Sequence, residues 1–146
     1  MFNRCVKSAP SQRLLSAAML LGALAFVSVG CAEITKQKEC SAVIDVINAG
    51  QSVMEKDAKL DDPKAVEEHA TELEEYGKKI GDVKITDVEL KKHVEAFHKN
   101  IDELAKFLRD LSKGSSDFAT ITKRANDIDT ERGKLVETIN GYCSRK

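Results

Sequence analysis

The chain has 146 residues, 32% charged and 42% hydrophobic, with 23 Lys and Arg against 24 Asp and Glu and a formal net charge of −1. That length holds one core domain rather than two. The lack of a basic surplus argues against nucleic acid or an anionic membrane face as the main partner.

Met1 to Gly30 opens with the basic residues Arg4, Lys7 and Arg13, continues as an uncharged run from Leu14 to Val29, and ends in small residues around Gly30-Cys31-Ala32. This is the three-part layout of a secretory signal. The run is 16 residues, about 24 Å of helix, and falls short of the roughly 20 residues that a membrane crossing needs. Its removal takes three positive charges and no negative ones, so the mature chain carries −4. The predicted organisation is a signal peptide over 1–30, a short tether over 31–39, and a helical domain over 40–146.

At the boundary, Ser28-Val29-Gly30-Cys31 resembles the lipobox of bacterial lipoproteins, in which a small residue precedes a cysteine that is lipidated and becomes the new N-terminus. The resemblance covers the signal and these four positions, with Ser28 standing where the family usually has leucine. It implies a lipid anchor at Cys31, and several acyl chains hold a protein stably at a membrane. Ala32 after the cysteine, rather than aspartate, is similar to lipoproteins kept in the outer membrane facing the periplasm. The same residues also fit ordinary secretion with cleavage after Ala32, which gives a soluble periplasmic or secreted protein. Both readings discard Cys5 and leave Cys40 and Cys143 as the only pair inside the domain, and an oxidising compartment makes such a pair one disulfide.

The mature chain reads as helix throughout, all-α in class. A first helix is expected from about Lys38 to Leu60, with Val43, Ile44, Ile47, Met54 and Ala58 on its apolar side. Asp61-Asp62-Pro63 then opens a second, with Asp62 as N-cap and proline at the first helical position. Its stripe runs through Val66, Ala70, Leu73, Tyr76 or Gly77, and Ile80. After a turn over Gly81–Thr86, Thr86 and Glu89 read as a capping box. The third helix carries Leu90, Val94, Phe97, Ile101, Leu104, Leu108 and Leu111 at alternating steps of four and three, the seam of a bundle or coiled coil. Gly114-Ser115-Ser116-Asp117 ends it and caps a fourth, which runs to about Gly141 with Phe118, Ile121, Ala125, Ile128, Arg132, Leu135, Ile139 and Tyr142 in its stripe.

Four amphipathic helices with short connections predict an antiparallel up-down-up-down bundle. Cysteine position gives a parity check: Cys40 near the start of the first helix and Cys143 at the end of the fourth are adjacent only if the number of helices is even. Counting away from that bridge, Gln51 lies eleven residues after Cys40 and Arg132 eleven before Cys143, about 16 Å along each helix. With His98, and with His69 or Glu72 near the same level, they form a candidate polar layer, read as register-setting rather than as a ligand site. Gly50 and Gly133 match in the same way and predict a close approach of the first and fourth helices. Phe107 falls off the stripe and faces either a partner or the junction with a neighbouring helix, the latter being the reading that suits a bundle.

Little chemistry is written into the chain. Glu95 and His98 have a Glu-x-x-His spacing that resembles a di-iron carboxylate site, but a second copy on another helix is missing, since Val66 precedes His69. Met54 on an apolar stripe reads as packing, and His93 and His98 as boundary residues with wet imidazoles. There is no nucleophile motif, phosphate-binding glycine loop or zinc spacing. The expectation is a non-enzymatic, cofactor-free cell-envelope lipoprotein whose bundle binds or scaffolds. Its partners are the membrane through Cys31 and either an envelope protein or a second copy. The alternative is a soluble exported bundle that holds a small ligand or a metal between its helices.

Overall fold

A computed structural model describes residues 26–56, 61–114 and 117–145. The predicted signal therefore lies almost wholly outside the described residues, as do Ala58 and Leu60 of the first predicted helix and the Ser115-Ser116 pair. The described chain is all-α: α1 (Phe26–Ala49), a single turn α2 (Gln51–Met54), α3 (Pro63–Gly81), α4 (Val88–Ser112) and α5 (Phe118–Cys143). There are thus four long helices, as the periodicity predicts.

Local chemistry explains most of the boundaries. Asp62 accepts hydrogen bonds from the Lys64 and Ala65 N–H groups at the start of α3, with Pro63 at its first position, and Asp117 caps α5 through the Thr120 N–H. Such caps answer donors that a helix start leaves without an internal partner, two of them at Asp62 and one at Asp117. Gly114 takes a left-handed φ of 69° after α4, a conformation glycine reaches without the Cβ penalty.

The helix boundaries correct several expectations. The N-cap of α4 is Asp87, which accepts from the Leu90 N–H, so Thr86 and Glu89 do not form the capping box; the Thr86 hydroxyl is engaged by Glu39 instead. The first helix begins earlier than Lys38 and breaks at Gly50. Residues 31–39, expected as a tether, are helical, because that segment contains no proline or turn chemistry to stop α1.

Contacts between successive helices pair early residues with late ones, as in an antiparallel arrangement. Between α1 or the chain just after it and α3, the Tyr76 hydroxyl meets the Ile47 carbonyl, His69 that of Val53, and Lys56 the Glu72 carboxylate. Between α3 and α4, Arg109 reaches back to Glu67 and Glu74, while Gly77 and Gly81 lie against His98. Between α4 and α5, Asp110 pairs with Arg124 and the Asn100 amide donates to the Ile128 carbonyl. The α3–α4 hairpin has the most extensive packing.

The core is continuous through all four long helices. Phe97, Leu73, Leu90, Ile101, Ile139, Val43 and Val66 are its fully buried large side chains, and burial of each contributes about 1.5–3 kcal/mol. Phe107 is buried in the same cluster with the Arg124 guanidinium 5.3 Å above its ring, which places it at the α4–α5 junction as its off-stripe position predicts. Phe118, assigned to the fourth stripe, is exposed: it sits in the first turn of α5, level with the end of α4 and beyond the reach of α1.

Candidate functional site at the disulfide pole

A cluster of partly buried hydrogen bonds surrounds the bridge. Cys40 and Cys143 form a disulfide with Cα atoms 5.5 Å apart, inside the usual range, so the start of the bundle-facing part of α1 and the end of α5 are joined as parity predicts.

The residue before each cysteine points at the same helix start. Glu39, buried, accepts from the Thr86 N–H at 2.9 Å, the Thr86 hydroxyl at 2.6 Å and the Asp87 N–H at 3.1 Å. Tyr142, also buried, donates its hydroxyl to the Asp87 carboxylate at 2.8 Å. Asp87 therefore serves as N-cap of α4 and as acceptor for α5 at once, and a carboxylate at a helix N-terminus is favoured by the exposed N–H dipoles there. The Lys36 ammonium lies 4.2 Å from the centroid of the Tyr142 ring, and the His93 ring packs beside it at 5.7 Å.

Electrostatics follow from these contacts. Burial pushes the Glu39 carboxyl up, but the hydrogen bonds from Thr86 and Asp87 outweigh it and hold it below the usual carboxylate range. The Leu90 N–H and then the Tyr142 hydroxyl hold Asp87 low. Burial, reinforced by Asp87, pushes the Tyr142 phenol up to about 12. Such an arrangement is ionised and satisfied at neutral pH, and it holds three helices together.

An open groove of about 480 Å³ borders the same pole, between the α3–α4 connection and the face of α4 that carries Lys91, Glu95 and His98. Its rim bears both signs of charge. Among the described residues no group of three or more His, Cys, Asp and Glu side chains is placed to hold a metal ion.

The predicted polar layer is not assembled. Gln51 is exposed and donates to Glu55 one turn on, Arg132 is half-buried and pairs with Asp129 on its own helix, and His98 lies between α3 and α4 with Nε2 3.6 Å from Asp102. The reason is Tyr76. Its ring occupies the space beside Gly50, where a Cβ would overlap it, and its hydroxyl donates to the Ile47 carbonyl at 3.3 Å. The close approach at Gly50 is therefore between α1 and α3, whereas a Cβ at Gly133 would meet nothing within 4 Å. Besides Glu39, the buried polar side chains among the described residues are His69, whose Nε2 lies 2.8 Å from the Val53 carbonyl, and Asn100. Of these, Asn100 hides between the stripe positions Phe97 and Ile101, and its type gave no signal. Glu39 and Tyr142 carried one: each precedes a bridged cysteine.

No protein-family model, curated protein or solved structure matches this chain.

Proposed function

We propose that the chain is a small cell-envelope lipoprotein, acylated at Cys31, whose disulfide-closed bundle works by binding or scaffolding rather than by catalysis. The observation that carries this reading is the basic start, apolar run and Gly30-Cys31 of the first thirty-one residues. Two features of the fold support it. The Cys40–Cys143 bridge suits an oxidising compartment, and the bundle interior is filled by large apolar side chains. No helix among the described residues is long and apolar enough to cross a membrane, so attachment on this reading is by lipid alone.

The test is acylation itself. Cells expressing the full chain and fed a labelled fatty acid are expected to yield a labelled, membrane-fractionating protein, and Cys31→Ser is expected to release it or leave it unprocessed. Normal processing and unchanged membrane attachment of Cys31→Ser would refute the proposal. The second reading, a soluble exported bundle that takes a small ligand, draws on the groove lined by Lys91, Glu95 and His98, and is favoured instead if the mature protein begins after Ala32.

A further inference from the structure

The geometry points to a fixed orientation on the membrane: the disulfide pole faces the lipid headgroups, and the Phe118 end is held away from them. This rests on acylation at Cys31 and adds to it which end of the molecule is buried against the bilayer.

The side of α1 that meets the bundle runs through Lys36, Glu39, Cys40, Val43 and Ile47, a helical spacing of three and four. Each of the first three has its own attachment to the pole: Lys36 over the Tyr142 ring, Glu39 to Thr86 and Asp87, Cys40 to Cys143. Because α1 is continuous through Cys31, only five residues of helix, about 7.5 Å, separate the anchor position from the first docked residue. The headgroup zone is itself roughly 5–7 Å deep on each side of the hydrocarbon. A flexible tether of the same length would let the bundle tumble; a helix docked at its base does not.

Exposure supports the same orientation. The large hydrophobic side chains exposed among the described residues are Ile34, Val88 and Phe118. Ile34 follows Cys31 by three residues in α1, and Val88 opens α4 beside the Glu39 contacts, so two of the three lie on the anchor's side. The pole is not uniformly basic: exposed Lys38, Lys84 and Arg145 stand with exposed Glu33, Asp82 and Glu89. Attraction there is to a zwitterionic, hydrogen-bonding headgroup layer rather than to anionic lipid in particular. Phe118, 83% exposed, begins α5 at the far end of the 25-residue α4, about 37 Å further from the bilayer.

The chain contains no tryptophan, so single reporters read position directly. Val88→Trp and Phe118→Trp replace side chains that are each 83% exposed, and circular dichroism confirms that both fold. The acylated proteins are placed in phosphatidylethanolamine vesicles carrying a dansyl-labelled headgroup, and energy transfer from each tryptophan is measured. Transfer from position 88 is expected to exceed that from 118 several-fold. Equal transfer from vesicle-bound protein would overturn the orientation while leaving acylation intact. Failure to float with vesicles would remove the acylation reading and this inference with it. A blue-shifted position 88 without vesicles, growing with protein concentration, would show that a second copy covers the pole, and would also overturn it.

Discussion

Glu39 and Tyr142, which lie on different helices and each precede one cysteine of the bridge, converge on Asp87 at the start of α4: one accepts its backbone N–H and the other donates a hydroxyl to its carboxylate. The disulfide joins α1 to α5, and this pair joins both to α4. Tyr142→Phe is expected to cost about 1–2 kcal/mol and Glu39→Gln about 1–3, since each leaves a charged or buried group short of a partner. Because they share Asp87, the double variant is expected to depart from additivity by at least about 0.5 kcal/mol. Urea unfolding of the four proteins measures this, and strict additivity would show that the two contacts act independently.

Reduction of the bridge, whose cysteines are 103 residues apart, is expected to lower the melting temperature, with a chain-entropy ceiling of about 4.7 kcal/mol. Secondary structure is expected to persist at low temperature because the Asp87 contacts still hold α1 and α5. Loss of helical circular dichroism on reduction alone would mean that those contacts form only under the covalent constraint.

Alkaline stability follows from the two tyrosines. Burial raises Tyr76, and burial with Asp87 raises Tyr142, from an ordinary 10.0 to about 12 each. A phenol whose folded pKa lies above its unfolded value contributes stability that is fully present below pH 10 and is lost as pH rises from 10 through 12. With these as the chain's only tyrosines and no tryptophan, tyrosinate absorbance is expected to appear late and together with unfolding. Ionisation of either near pH 10 in the folded protein would show that it is solvated. At the acid end the sign reverses: Glu39 and Asp87 are lowered, so their contribution is present above about pH 4 and fades as pH falls below it.

The glycines give opposite expectations for the same substitution. Gly50→Ala puts a methyl group into the Tyr76 ring and is expected to destabilise by about 1–3 kcal/mol, as overpacking does, with partial recovery on adding Tyr76→Leu. Gly133→Ala meets open space in the middle of α5 and is expected to stabilise by about 0.5–1 kcal/mol. Thermal melts of both decide the matter, and destabilisation at Gly133 would mean that α1 and α5 do approach there.

Arg132→Leu is expected to hold or raise stability. Its guanidinium pairs with an exposed Asp129 on the same helix, an arrangement worth little, and leucine continues the stripe between Ile128 and Leu135. A loss of several kcal/mol would place Arg132 in a paired interior network.

What the sequence determined by itself is whatever depends on near neighbours or on counting. The four helices follow from apolar periodicity, the starts of α3 and α5 from Asp62-Pro63 and Asp117, and the Cys40–Cys143 pairing from their being the two cysteines left in the domain, with an even number of helices as its check. What the tertiary structure decided depends on how each helix is rotated about its axis, and side-chain volume across several helices sets that. Gln51 and Arg132 were matched by height alone; rotation sends one outward and pairs the other with Asp129 on its own helix, while Tyr76 from α3 takes the space beside Gly50. The same rotation turns Glu39 and Tyr142 toward Asp87, about fifty residues away from each along the chain, where no local pattern could have paired them.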